Sequence, residues 1–352
     1  MPPVDAEKQL TEVERLVLEQ WARQGGNYTE HWAFTTPVKS GGHTSIDGFV
    51  KERLVERSVD LAPEADRATL ARRAALVLTG LPPEPDQLAA FLADEGEDAY
   101  DTLVELFLES SRYGEHQARY WLDAVRYGDT HGLHLDNRRG IYPYRDWVVR
   151  ALNENLPLDR FITWQLAGDL LPNPSLEQQI ATGFVRMNPT TSEGGVLPEE
   201  FQAKNNFDRT ETFGTVFLGM TMTCARCHTH KYDPITHTDY YQLFAFFNST
   251  AEKPLDGNKY DYGPAVKTPK DQNAWDAWTK LHNELRSADA AEAERLQAAL
   301  AALEEGFTTT LVTKELEKPR PTHILMRGEY NLPIGEVLEP NVPAIMSGFP
   351  KD

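Results

Sequence analysis

The sequence of 352 residues contains only two cysteines and no long apolar run. Two cysteines cannot build a disulfide framework, so a fold of this length must depend on a hydrophobic core. Because no run reaches about 18 apolar residues, the sequence predicts no transmembrane helix. Residues Met1 to Glu7 lack the basic flank and apolar stretch of a signal peptide.

Basic residues are also scarce. The chain has 35 Lys and Arg against 54 Asp and Glu, which gives a net charge of −19. General nucleic-acid binders and proteins that bind anionic membranes need a basic face, so the charge balance argues against both classes. With 40% hydrophobic and 25% charged residues, the composition is that of a globular protein.

Apolar residues recur at helical spacing along most of the chain, which predicts a mainly α fold. We expect a multi-helix domain with a protruding helical segment and a few short strands near the C-terminus. The predicted helices cover residues 7–24, 63–78, 85–94, 97–111, 114–127, 143–154, 158–169, 175–186, 198–218 and 240–247. Polar loops are expected at 27–44, 128–140 and 188–195.

Composition changes after residue 250. Residues 251–270 are rich in Pro, Gly and Lys and read as a linker, whereas 271–304 carry Ala, Glu and Leu at helical spacing. The β-branched runs at 308–312 and 322–325 predict short strands. We therefore divide the chain into four parts: a helix with its linker at 1–44, a helical domain at 45–250, a linker with a helical appendage at 251–310, and the start of a second, truncated domain at 311–352.

Both cysteines fall in Cys224-Ala225-Arg226-Cys227-His228, the attachment pattern of c-type haem. In this pattern two thiols bond the two vinyl groups of one haem, and the adjacent imidazole ligates the iron. The thiols would be those of Cys224 and Cys227, and His228 would be the proximal ligand. The second axial ligand stays open among six residues: Met220, Met222, His230, His237, His131 and His134.

Other interpretations of the cysteine pair remain open. It could be a redox dithiol, although such pairs usually follow a strand at a helix start. It could be half of a zinc site that His228, His230, Asp233 or His237 completes, since structural zinc takes four ligands. It could also be an inert pair.

A second candidate site lies in the polar loops. Residues 129–136 contain Asp129, His131, His134 and Asp136. Together with His228, His230 and Asp233 these side chains could form a carboxylate–imidazole site for zinc or iron, as a metal-binding module or a metalloenzyme. The alternative is that His131 and His134 only make hydrogen bonds within their loop.

Aromatic residues flank the cysteine motif on both sides. Phe207, Phe213 and Phe217 precede it, and Tyr240 and Phe244 follow it. They would suit the wall of a haem pocket, which must be apolar, and they would equally suit an ordinary core.

Several segments, in their order along the chain, resemble one family. They are Leu76–Pro83, Tyr113–His116 with Tyr120–Asp123, Tyr144–Val148, Gln165–Pro172, Ala181–Phe184 and Cys224–Pro234. Over about residues 45–250 the chain resembles the cytochrome-c-associated domain of unknown function found in large planctomycete proteins.

The resemblance implies haem c as the cofactor and extracytoplasmic electron transfer as the role, with an upstream cytochrome c domain or another redox protein as the partner. It implies that residues 1–44 are the tail of that upstream domain and that 311–352 begin an uncharacterised downstream domain. The family supplies no established reaction, so enzymatic activity is left open.

Overall fold

A computed structural model describes residues 3, 5–27, 34–39, 42–134, 136–191, 193–255 and 263–346. The chain forms two compact units, residues 1–64 and 65–352. The first unit contains helices α1, Glu12–Arg23, and α2, Ile46–Glu56. Helix α1 begins later than predicted because Thr11 and Glu14 form a capping box at its start. Helix α2 lies beyond the predicted loop and was not expected.

The second unit opens with a small helical cluster of α3, Arg67–Thr79, α4, Pro85–Ala93, and α5, Ala99–Leu108. The side chain of Asp66 caps α3, and Gly80 ends the helix with a φ of 73°. The alanine face of α3 lets bulky side chains from α4 and α5 approach closely. This core consists of Ala71, Ala74, Ala75, Phe91, Ala99, Leu103 and Phe107.

The main core begins with α6, Ser111–Ala124, α7, Tyr142–Asn153, α8, Leu158–Ala167, and α9, Leu176–Ala181. Helices α6 and α7 approach each other closely at Gly114. A Cβ at this position would lie 2.4 Å from the Val149 carbonyl oxygen, so only glycine fits there. Trp147 is buried and stacks on Phe161 with ring centroids 5.3 Å apart. The predicted helix at 175–186 is confirmed, but it tightens into a 3-10 helix over Thr182–Arg186.

Helices α10, Pro198–Leu218, and α11, His237–Asn248, pack on each other through their aromatic side chains. Ring centroids of Phe207 and Phe244 lie 5.5 Å apart, and those of Phe213 and Phe247 lie 6.2 Å apart. The aromatic residues that flank the cysteine motif therefore contact one another and build core.

The rest of the chain adds two small sheets and a helical hairpin. Strand β1, Ala265–Thr268, pairs antiparallel with β2, Thr308–Leu311, so the predicted linker contains a strand. Between them α12, Gln272–Ser287, and α13, Ala290–Glu304, form the hairpin. Strand β3, Thr322–Leu325, pairs antiparallel with β4, Pro333–Leu338, and contacts α11.

Within the described residues the fold has thirteen α-helices and two two-stranded sheets, which confirms the mainly α prediction. No helix in the described ranges has both the length and the apolar character needed to cross a membrane. All four strands are part of the second unit, and Leu311 of β2 is buried in the main core.

Candidate functional site

The cysteine motif lies on a short helical turn between α10 and α11. Gly219 ends α10 in the left-handed region, with a φ of 63°, and the chain turns back so that the Met220 N–H donates to the Gly214 carbonyl at 2.9 Å. A 3-10 helix then covers Thr223–Arg226. The N–H groups of Cys227 and His228 both point to the Cys224 carbonyl, at 3.3 and 3.4 Å.

The two residues between the cysteines anchor this turn. Ala225 is completely buried. The Arg226 carbonyl accepts hydrogen bonds from the Tyr241 hydroxyl at 2.9 Å and from His237 Nε2 at 3.0 Å. Its guanidinium lies 5.0 Å from the ring centroid of Phe207. The middle of the motif is therefore held by the core of the C-terminal unit, residues 65–352.

Glu211 of α10 joins the turn to α11. Its carboxylate accepts hydrogen bonds from Thr223 Oγ1 at 3.1 Å and from the Tyr240 hydroxyl at 3.0 Å, and lies 3.6 Å from Arg226 Nη1. Burial and the adjacent Glu211 charge raise the pKa of Tyr240 well above its ordinary value, so this phenol stays protonated and donates.

The two thiols and the imidazole of the motif face the solvent. Cys224 and Cys227 are both exposed, with free thiols. They are three positions apart on one helical turn, which places their side chains on the same side of it. His228 is exposed too, and its Nδ1 lies 2.8 Å from the Thr229 carbonyl oxygen. A carbonyl oxygen can only accept, so Nδ1 is the donor in this contact and Nε2 is the ring nitrogen left to bind a ligand.

A downstream turn contacts the second thiol. Sγ of Cys227 donates to the Arg327 carbonyl at 3.2 Å, and Gly328 packs close to the same sulfur. Arg327 and Gly328 both have positive φ, 55° and 73°, in the short turn that follows β3. The sequence prediction missed this turn because it lies a hundred residues from Cys227.

The expected second axial ligands differ in availability. Met220 and Met222 are buried, and Met222 fills the space that Gly214 leaves open in α10. His230 Nδ1 accepts the Asp233 N–H at 2.8 Å, and His237 Nε2 is occupied by the Arg226 carbonyl. Met326, beside Arg327, is 42% exposed, and the sequence analysis did not consider it.

The polar loops at 128–140 and 188–195 do meet, through backbone hydrogen bonds. The Thr190 N–H donates to the His131 carbonyl at 3.0 Å, and Gly132 bridges to Thr190. His131 is fully buried, whereas the exposed ring of His134 lies 3.9 Å from the Glu193 carboxylate. The Asp129 carboxylate accepts a hydrogen bond from the Tyr127 hydroxyl.

The metal-ligand candidates form pairs at most. His230 Nδ1 lies 3.5 Å from Asp233 Oδ2, and His134 faces Glu193. In the part of the chain that the structure describes, no three His, Cys, Asp or Glu side chains are grouped so that they could hold a metal ion.

Comparison with known proteins places the chain in a family. Among curated proteins and solved structures, none matches this chain. Residues 45–252 match the family PSCyt2, described as a protein of unknown function (DUF1549). This span covers more than half of the chain and agrees with the range over which the sequence segments resemble the cytochrome-c-associated domain. The chain therefore belongs to the PSCyt2 family.

Proposed function

We propose that the Cys224–His228 turn is a covalent attachment site for a c-type haem, and that the protein works in extracytoplasmic electron transfer. The observation that carries the proposal is that the residues between the cysteines pack into the protein, whereas the potential haem-binding side chains are exposed. The core holds Ala225 and Arg226, while two free thiols and one imidazole stand exposed on one turn.

The donor set fits this cofactor. Cys224 and Cys227 would form the two thioether bonds, and His228 would ligate the iron through Nε2, since its Nδ1–H donates to the Thr229 carbonyl. Histidines that bind metals usually donate their other N–H to a carbonyl or carboxylate, which fixes the ring and its tautomer. When bound, the haem would supply one-electron chemistry. The electron partner would be an upstream cytochrome c domain or another redox protein.

Two features of the chain would position these residues. Tyr241 and His237 hold the Arg226 carbonyl and so keep the turn in place. The turn after β3 would release the Cys227 thiol, which now donates to the Arg327 carbonyl. Met326, on that same turn, would be a methionine available to bind the iron, because it is exposed whereas Met220 and Met222 are buried.

The test is to produce the full chain behind an export signal in a host that matures c-type cytochromes. We expect the mass to rise by one haem per chain, with a Soret band that survives denaturation. Replacing both cysteines, Cys224→Ser with Cys227→Ser, should abolish the mass increase. His134→Ala is the matched control for His228→Ala, and only the latter should alter the iron spectrum. A wild-type protein without haem mass would refute the proposal.

The same preparations examine the details. Met326→Leu should remove the far-red absorption of a ferric sulfur-ligated haem while the haem mass stays unchanged. A spectrum unaltered in Met326→Leu would exclude this residue as the ligand. Metal analysis of the haem-free protein tests the zinc or iron alternative. One tightly held ion per chain, lost on changing His131 and His228 to Ala, would favour a metal site over haem.

A further inference from the structure

An apolar cavity of about 300 Å³ lies between α8, α10 and α11, and none of its lining residues belongs to the cysteine motif. Its walls are mostly aliphatic and aromatic, with Leu166, Phe213, Leu243 and Phe247 among them. Leu170 at its edge is 60% exposed, so the cavity is open to solvent on that side. Its volume is at the lower end of the range for small-molecule sites, about 300–1,000 Å³.

Four polar side chains line this cavity, and two of them are threonine hydroxyls that donate hydrogen bonds within the protein. The Thr250 hydroxyl donates to the Phe247 carbonyl at 2.9 Å, and the Thr313 hydroxyl donates to Glu252 Oε1 at 2.6 Å. The other two are the carboxylates of Asp169 and Glu315. The backbone N–H of Glu315 donates to Asp169 Oδ2 at 2.8 Å, which brings the two acidic residues together.

The charges that act on these two carboxylates are mostly negative. Within the described residues, no basic nitrogen lies within the 4.0 Å limit of an ion pair from either one. Burial raises the pKa of Asp169, and burial together with the Asp169 charge raises the pKa of Glu315. Lys314 acts weakly on Asp169, while the buried Glu252 adds negative potential to both.

A close contact between Gly168 and α9 positions Asp169 at this cavity. Asp169 follows Gly168, where a Cβ would lie 2.1 Å from the Gln178 carbonyl oxygen, so only glycine permits this approach of the turn to α9. The cavity is lined by four consecutive or nearly consecutive residues of this segment, Leu166, Ala167, Asp169 and Leu170. The segment Gln165–Pro172 is one of those that carry the family resemblance, and haem attachment at the cysteine motif does not use it.

We propose that this cavity is a binding site for a small organic cation, an ammonium group carried on an aliphatic or aromatic body. The ammonium would donate hydrogen bonds to the carboxylates of Asp169 and Glu315 and balance their negative charge, and the body would fill the apolar space. An anion would be repelled by the two carboxylates. A neutral apolar ligand would cover them without offering a counter-charge, which is unfavourable.

Calorimetric titration of the full chain with three probes of the same shape tests the proposal. The probes are 2-phenylethylammonium, 2-phenylethanol and 3-phenylpropanoate. We expect the ammonium to bind about tenfold more tightly than the alcohol, the effect of one hydrogen bond between charged groups, and the carboxylate not to bind.

Variants then test whether Asp169 and Glu315 cause the preference for the ammonium probe over the alcohol. Asp169→Asn with Glu315→Gln should abolish the difference between ammonium and alcohol, whereas the exposed Glu317→Gln serves as the control and should leave it unchanged. Equal affinity for ammonium and alcohol in the wild-type chain would overturn the proposal, even if the double variant failed to fold. So would failure of the ammonium to bind at millimolar concentration, or ammonium binding that the folded double variant retains.

Discussion

At the scale of single residues, Glu252 shows what a buried charge requires. Its side chain is only 2% exposed, lies 3.7 Å from Arg209 Nη1, and accepts a hydrogen bond from Thr313. Burial alone would raise the pKa of Glu252, but the charges of Arg209 and Arg186 outweigh burial and hold it below its ordinary value. The carboxylate is thus ionised in the folded protein.

Glu252→Gln removes the buried negative charge that Arg209 and Arg186 face, so we expect the free energy of unfolding to fall by about 3 kcal/mol near neutral pH. A carboxylate whose pKa is lower in the folded protein than in the unfolded chain stabilises the fold. This stabilisation is complete above the pKa of the unfolded chain, about 4.3, and disappears as the pH falls through the pKa of the folded protein. The difference between wild type and variant should therefore shrink in acid.

Urea titrations between pH 3 and 7 measure this dependence. The exposed Glu317→Gln is the control and should follow the wild type at every pH. A loss in Glu252→Gln that is the same at pH 3 as at pH 7 would contradict the assigned ionisation.

At the scale of elements, the hairpin of α12 and α13 is fixed to the core at its base. Trp275 in the first turn of α12 is only 8% exposed and belongs to the main hydrophobic core. The Arg150 guanidinium of α7 lies 4.0 Å from the centroid of its ring. The segment that the sequence predicts as an appendage therefore contributes one large side chain to the folded centre.

Trp275→Ala should lower the free energy of unfolding by about 3–5 kcal/mol, because it leaves a cavity in the core. Trp278→Ala is the matched control, since Trp278 is only partly buried and contacts His282 within the hairpin, with ring centroids 4.1 Å apart. Guanidinium chloride titration of both variants measures the two effects, and the free energy of unfolding should fall clearly less in Trp278→Ala. Equal losses in the two variants would show that the base of the hairpin is not part of the core.

At the scale of the whole molecule, the two compact units differ in how they are stabilised. Neither α1 nor α2 contains a buried residue, and α1 exposes Val13, Leu16 and Val17. The buried residues of the two clusters described above, around Ala71 and around Trp147, all lie between residues 71 and 311. Folding of residues 65–352 should accordingly not depend on residues 1–64.

Removal of residues 1–64 should leave one cooperative thermal transition with an unchanged midpoint. Phe107→Ala in the full chain gives the comparison, since Phe107 is 3% exposed and its truncation should cost about 3 kcal/mol or more. Calorimetry measures the transition midpoints of the shortened chain and of Phe107→Ala and so checks both expectations. A shortened chain that melts as early as Phe107→Ala would show that the first 64 residues stabilise the rest.

Local pattern predicted much of the fold. The stop at Gly80 and apolar side chains at helical spacing act within a few residues of each other, so the helices from α3 to α11 could be read from the sequence. The predicted start of α3 at residue 63 was wrong, because Asp66 caps the helix and it begins at Arg67. Helix α2 was missed although Ser45 caps its start and Ile46, Phe49, Val50 and Leu54 recur at helical spacing. The cysteine motif was recognisable for the same local reason, since its three reactive residues lie within five positions.

What the sequence by itself determined is therefore the helical class, most helix positions, and the identity of the thiols and imidazole at the motif. Tertiary structure alone decided what surrounds them. The contact of Cys227 with Arg327 joins residues 100 positions apart, and that of Asp169 with Glu315 joins residues 146 apart. Strand β1 likewise pairs with β2 across the intervening hairpin. Such contacts leave no periodic signal in the chain, because they exist only after the helices have packed and brought distant segments together.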